Sequence, residues 1–381
     1  MTRPDKHPDL LVRRTLRQII TDPASVTSLS PAGLDLALRL TRRARLLGWL
    51  GWQLQQNNLL DSLPQLAADQ LKSALAEAKA RDRISRWELD RITWALRDNK
   101  DITLIALKGC AYLLRELPNA GGRSFADIDL LLPKRDLEQA EQILVARGWQ
   151  GKTLDVYDDN FYRVWSHELP PMIHREREVE VDLHHTILRK TARLKPDARL
   201  LLQNARPAGE TGFSTLSDTD LLLHTMTHLM FDSDLGDRLR DLVDISMLLE
   251  YFSERDEDFW QKLQARARQL DLQRPAYYAL RYANQLLGTP IPSTVAIKID
   301  SPPAVYVWLM DRCGPAAIFP QHPDSPLKSS ELARLLLYIR SHWISMPPLL
   351  LARHLVYKFY VRYIKDRLRT PKGQPISGQE K

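Results

Sequence analysis

Only two cysteines, Cys110 and Cys313, occur in 381 residues. So few thiols exclude a disulfide framework and point to a reducing, cytoplasmic compartment. Long apolar runs are also missing: none approaches the roughly 20 residues that a membrane span requires. The first residues, Met1 to Leu11, are polar and charged and lack the apolar core of a secretory signal. The chain has no P-loop, no Gly-x-Gly-x-x-Gly after a strand, no Gly-x-Ser-x-Gly elbow, no zinc-finger spacing and no internal repeat. These absences exclude the commonest glycine-loop, hydrolase and zinc-module classes.

What is present is a globular composition, with 44% hydrophobic and 27% charged residues. The length suits two or three domains. The net charge of +7 is concentrated at one end, because Glu331 to Lys381 holds ten Lys or Arg against three acids. From Leu349 to Arg369, Leu, Val, Tyr and Phe alternate with Arg and Lys. Such a stretch can pack on the body with a solvated basic face, or contact nucleic acid or the inner face of a membrane.

Residues 1–100 read as a helical region. Asp35 to Gln56 carries apolar residues at helical spacing, Ser62 with Pro64 resembles a helix start, and Gln65 to Asn99 lacks Gly and Pro. Residues 101–216 differ. Ile102 to Leu107 and Asp127 to Leu132 read as buried strands, and Leu137 to Arg147 as a helix capped by Asp136 and stopped by Gly148. Gln150 to Glu168 has no clear pattern, and Met172 to Ile187 reads as a hairpin turning at Arg175 to Arg177. Residues 217–290 are again helical, opened by a capping box from Ser217 to Asp220. Residues 291–381 form a basic, aromatic helical region and tail.

Chemistry concentrates in the middle region. On a strand, Asp127 and Asp129 point to one face while Ile128 points to the other. Two adjacent carboxylates repel unless a cation offsets them, and hard divalent cations favour oxygen ligands. Glu180 and Asp182 repeat the geometry, so either can supply a third carboxylate to a centre that holds two Mg2+, with Mn2+ an alternative. Lys108-Gly109 lies at a strand-to-helix junction, where a point charge, backbone amides and close approach suit phosphate. Arg123, in the loop after Gly121-Gly122, is placed to clamp the same phosphates. His184 shares the face of Asp182. His224 and His228 are spaced i, i+4 and, with Asp244, offer either a Zn2+ site or helix packing, with His228 also a candidate for the active site. Cys110, beside Lys108 at a helix start, is expected to have a lowered thiol pKa.

Leu107-Lys-Gly-Cys-Ala111, Arg123 to Leu132 and Val181-Asp-Leu-His-His185, followed by Leu223-His-Thr-Met-Thr-His228, resemble a family of uncharacterised bacterial nucleotidyltransferases. The resemblance covers about residues 100–290 and implies an α+β fold. That fold is a polymerase-β-like nucleotidyltransferase core with a small mixed sheet, flanked by N-terminal and C-terminal helical regions. It implies an NTP-binding, Mg2+-dependent enzyme that moves a nucleoside monophosphate to a hydroxyl or phosphate of a small-molecule, glycan or peptide acceptor, as in polysaccharide or peptide modification. Asp127, Asp129 and Asp182 would be the catalytic metal ligands, and Lys108, Gly109 and Arg123 the nucleotide contacts. Two other readings are a transferase using another activated donor, such as a nucleotide sugar, and a non-catalytic nucleotide-binding scaffold for envelope assembly.

Overall fold

The computed structural model describes residues 8–99, 101–125, 127–152, 156–232, 234–298 and 301–353. The first helices are α1 (Pro8–Thr21), α2 (Pro31–Arg43), α3 (Leu47–Gln56) and α4 (Gln65–Leu96). The apolar spacing from Asp35 to Gln56 is therefore split. Arg45 takes a left-handed φ of 57° and turns the chain between α2 and α3. The α4 start also differs from expectation: Pro64 is the N-cap, and Ser62 sits in a preceding turn where its hydroxyl donates to Leu59 O at 2.6 Å.

The central part contains β1 (Ile105–Ala106), α5 (Lys108–Leu114), β2 (Asp127–Leu131), α6 (Leu137–Ala146), β3 (Trp149–Gly151), α7 (Val156–Trp165), β4 (Met172–His174), β5 (Glu180–His184), α8 (Ala198–Gln203), β6 (Arg206–Pro207) and β7 (Ser214–Thr215). These strands form one seven-stranded mixed sheet in the order β3-β4-β5-β2-β1-β7-β6, larger than the small sheet expected. The β4–β5 hairpin is present as expected, and Arg177 at its turn is pinned by two bonds of 2.6 and 3.1 Å to the fully buried Glu88 of α4. The unpatterned stretch after Gln150 holds the end of β3 and all of α7. Asp136 stands at the N-cap of α6 without a side-chain bond.

The remaining helices are α9 (Asp218–Thr227), α10 (Leu239–Ser253), α11 (Phe259–Gln269), α12 (Gln273–Tyr282), α13 (Ser293–Lys298), α14 (Ala304–Ile318) and α15 (Lys328–Ser345). Ser217 caps α9 by accepting from Asp220 N, as its spacing implies. The helix then widens into a π turn over His228–Asp232. Among the described residues, no helix is long and apolar enough to cross a membrane. Most of the basic stretch Leu349–Arg369 lies outside the described residues, which end at residue 353.

Strand alternation divides the sheet between two cores. Ile128, Leu130, Leu132, Val181 and Leu183 pack with Leu89 and Ile92 of α4 and with Leu137, Ala140 and Leu144 of α6. The opposite face of β2 and β5 carries Asp127, Asp129, Asp182 and His184. Leu131, also on that face, joins the larger core shared by the N-terminal helices and α9 to α15. The carboxylates thus sit where the sheet meets the second helical region.

The loop that leads into β2 is fixed against α3 by glycine. A Cβ on Gly122, whose φ is +66°, would stand 2.2 Å from the Gly48 carbonyl oxygen. Both partners are backbone, so neither yields cheaply. Gly122→Ala combines a left-handed conformation with this overlap and should destabilise the chain by about 2–4 kcal/mol. A lower denaturant midpoint at unchanged m-value would show it; a midpoint within a few tenths of a kcal/mol of wild type would contradict it.

Candidate metal centre

The β2–β5 pairing is parallel, with Asp127 opposite Glu180 and Asp129 opposite Asp182. Side chains opposite one another on one face are neighbours. Asp127, Asp129 and Asp182 accordingly each offer an oxygen within 4.8 Å of the others. Glu180, the alternative third carboxylate, turns to Lys152 at 2.6 Å instead.

Asp129 is the anchor of the centre and is 2% exposed. Its Oδ1 accepts from Lys108 Nζ at 2.8 Å and from His184 Nε2 at 2.9 Å. Burial alone would raise its pKa, but the Lys108 ammonium and the His184 ring outweigh burial and hold it well below the usual carboxylate range. His184 is fully enclosed; its loss of water opposes charge, yet the bond to Asp129 prevails and raises its pKa.

The other two carboxylates behave oppositely. Asp182 is pushed up to about 8, first by burial, then by the charges of Asp129 and Glu168. Asp127 is exposed as a residue but crowded by protein, and this desolvation, with Asp129 beside it, raises its pKa as well. Asp182 Oδ1 is buried without a hydrogen-bond partner among the described residues. A buried oxygen of this kind is costly unless something satisfies it. Three carboxylates, one anchored and two crowded, with an unsatisfied oxygen among them, fit a hard divalent cation.

Lys108 has a left-handed φ of 45° at the start of α5, which turns its ammonium back toward Asp129. Gly109 is required by packing: a Cβ there would meet the Phe125 ring at 2.4 Å. The sheet therefore brings together Lys108, Asp127, Asp129, Asp182 and His184. Arg123 is not brought onto the carboxylates; its guanidinium pairs with the buried Asp244, which also accepts from Arg240 Nε at 3.1 Å. Asp244 is thereby taken by two arginines, so the zinc arrangement of His224, His228 and Asp244 does not form. The thiol of Cys110 also departs from expectation. Burial and the nearby charges of Asp129 and Asp127 push its pKa up, and Lys108 does not compensate. Cys110 and Cys313 are both free and buried.

Because Arg123→Ala removes one of the two cations on the buried Asp244 and leaves Arg240 as the other, it should cost about 1–3 kcal/mol of stability. Urea unfolding measures this. A stability loss below about 1 kcal/mol would show that the guanidinium is free for another role.

Residues outside β2 and β5 also reach the centre. His228, at the π turn, lowers the pKa of Asp127 through its charge. Arg238 Nη2 donates to His228 Nε2 at 2.7 Å, while Arg238 Nε lies 2.6 Å from Asp241 Oδ2. His224 is buried, and desolvation with the Lys108 charge holds its ring neutral. On the far side of His184, His167 and Glu168 form a second group of metal-capable side chains. Neither Arg238 nor the His167–Glu168 pair has a local motif; only tertiary contact reveals them.

The model of a family described as uncharacterised nucleotidyltransferase matches residues 30–288. No curated protein matches the chain. No solved structure matches it either.

Proposed function

The chain belongs to the uncharacterised nucleotidyltransferase family, and from that premise we propose that it transfers a nucleoside monophosphate from an NTP to a hydroxyl or phosphate acceptor in a Mg2+-dependent reaction. The observation that carries this reading is the register of β2 against β5, which sets Asp127, Asp129 and Asp182 around one point with an unsatisfied buried oxygen. The order of parts supports a polymerase-β-like core: strand, Lys-Gly helix start, Gly-rich loop, Asp-x-Asp strand, then a hairpin ending in the third carboxylate.

In this reading the acceptor oxygen forms a bond to the α-phosphorus, the bond from that phosphorus to the bridging β-oxygen breaks, and pyrophosphate leaves. Mg2+ bound by Asp127, Asp129 and Asp182, as two ions, would neutralise phosphate charge and make the acceptor oxygen more nucleophilic. Asp182, ionised once Mg2+ has displaced its proton, would be the carboxylate placed to take the proton the acceptor loses. Lys108 and His184 hold Asp129 in one orientation, so the ligand set needs little rearrangement. His228, steadied by Arg238, faces Asp127 from the helical side and contacts the outgoing phosphates. Residues 217–290 select base and acceptor, and Arg123 holds the Gly-rich loop in place through Asp244.

The test is a screen of the four NTPs and of nucleotide sugars with Mg2+ or Mn2+, followed by pyrophosphate release and calorimetry. NTP-dependent pyrophosphate release with label transferred to an acceptor supports the reading. Release of nucleoside diphosphate from a nucleotide sugar would replace it with glycosyl transfer. Absence of any Mg2+-dependent NTP binding would favour a scaffold.

A further inference from the structure

The side of His184 turned away from Asp129 holds a second set of donors. Residues 167–169 run beside the end of β5. Leu169 N donates to Leu183 O, and His185 N donates to His167 O, each at 2.9 Å, while Glu168 and His184 form an antiparallel bridge. Directly opposed residues share a face, so the backbone itself sets Glu168 against His184. The His167 and His184 rings lie with centroids 5.2 Å apart. His167 and His184 are 4% and 1% exposed.

The distances are informative. Glu168 Oε2 lies 3.6 Å from His167 Nε2 and 3.5 Å from His184 Nδ1. A charge-assisted hydrogen bond would be about 2.7–2.9 Å. Two ligands bound about 2.0–2.1 Å from a tetrahedral ion stand about 3.4 Å apart. Both spacings therefore match the edge of a coordination tetrahedron better than a direct bond, and all three donors fall within 4.8 Å of one another.

We propose that His167 Nε2, Glu168 Oε2 and His184 Nδ1 form a second metal site, suited to a Zn2+-class ion and separate from the three-carboxylate centre. Two imidazoles and one carboxylate suit Zn2+, whereas an all-oxygen set suits Mg2+. His184 joins the two centres, because its Nε2 holds Asp129 while its Nδ1 faces Glu168. A metal-bound histidine usually donates its other N–H to a carboxylate, which fixes its tautomer; Asp129 is that carboxylate. Glu168 also lines a cleft of about 560 Å³ together with His185, Lys134 and Lys190. The cleft gives an ion and its water a route in. The proposal rests on these donors alone and does not require nucleotidyl transfer.

The experiment uses the full chain without a histidine tag, loaded with Zn2+, desalted and analysed for metal. About one Zn2+ per chain is expected, retained in excess Mg2+ and in Asp127→Asn. Glu168→Gln and His167→Ala should lose it, and Asp129→Asn should weaken it by about 10–100-fold. Thermal unfolding of each variant checks folding. The Co2+-loaded wild type gives a readout that needs no variant: intense visible bands of a four- or five-coordinate, nitrogen-ligated ion that Mg2+ does not abolish. Wild type without stoichiometric Zn2+, equal Zn2+ retention in folded Glu168→Gln, or weak octahedral Co2+ bands removed by Mg2+ would each overturn the site. None of these outcomes bears on whether NTP is turned over.

Discussion

Asp127→Asn is expected to lower Mg2+-dependent turnover by about 10²–10³-fold while leaving the metal-free chain as stable as wild type or slightly more stable. The two effects share one cause. Burial and the charge of Asp129 outweigh the pull of Lys108 and His228 on Asp127, so its carboxylate is held at a cost. An amide removes that repulsion. The same change removes a negative oxygen ligand from the point where phosphate charge must be neutralised, and losing one electrostatic group of this kind costs about 10²–10³ in rate. A site that is destabilising when empty and needed when loaded is what a stability–function trade-off predicts. Asp129→Asn should abolish turnover by a different route, because it leaves Lys108 and His184 without their shared partner. That variant should lose about 3–5 kcal/mol as well as activity. Turnover assays beside urea unfolding separate the two. Wild-type rates in Asp127→Asn would remove it from the centre, and equal stability losses in both variants would contradict the division into one anchored and one strained carboxylate.

That division explains how much of the site is legible in the sequence. The shared face of Asp127 and Asp129 follows from strand alternation, which needs no tertiary information. The choice between Glu180 and Asp182 does not, since both lie on one face of β5. It is made by the parallel register with β2 and by Lys152, a residue 28 positions away that takes Glu180. The role of Arg123 is likewise decided at long range, by Asp244 on a helix that the loop meets only in the folded chain. The long helices and the β4–β5 hairpin show their periodicity or turn chemistry locally. The strands β3, β6 and β7 have two or three residues each, too few to alternate. They exist because β3 finds β4 and the β6–β7 pair finds β1 in the folded chain, so neither the sheet's width nor the 167–169 segment beside His184 can be read from spacing.

Asp182 makes the centre sensitive to pH in a direction opposite to that of an ion-paired carboxylate. Its pKa is about 8 in the folded, metal-free chain and about 3.9 in an unfolded one. Between these values the folded state holds a proton that the unfolded state has released. Stability from this group is therefore complete below about pH 4 and is lost as pH rises toward 8, at up to about 1.4 kcal/mol per unit. Asp127, also raised, acts in the same sense. His185 opposes the trend below its unfolded value, because burial and then Lys190 and Lys134 hold its folded pKa down at about 4. From about pH 6.5 to 8 His185 no longer contributes, and His184, raised by Asp129, adds to the carboxylates in the same sense. There the melting temperature of the metal-free chain should fall with pH. Mg2+ must displace the Asp182 proton to bind, so its affinity should rise across the same window and its stabilising effect should be largest at the alkaline end. Calorimetry in buffers of different ionisation enthalpy would register close to one proton released per binding event near pH 7. In Asp182→Asn the proton release should disappear and the downward slope should become shallower, leaving the share of Asp127 and His184. Mg2+ binding that is pH-independent from 6.5 to 8, or a slope unchanged in Asp182→Asn, would show that this carboxylate is not the group the cation meets.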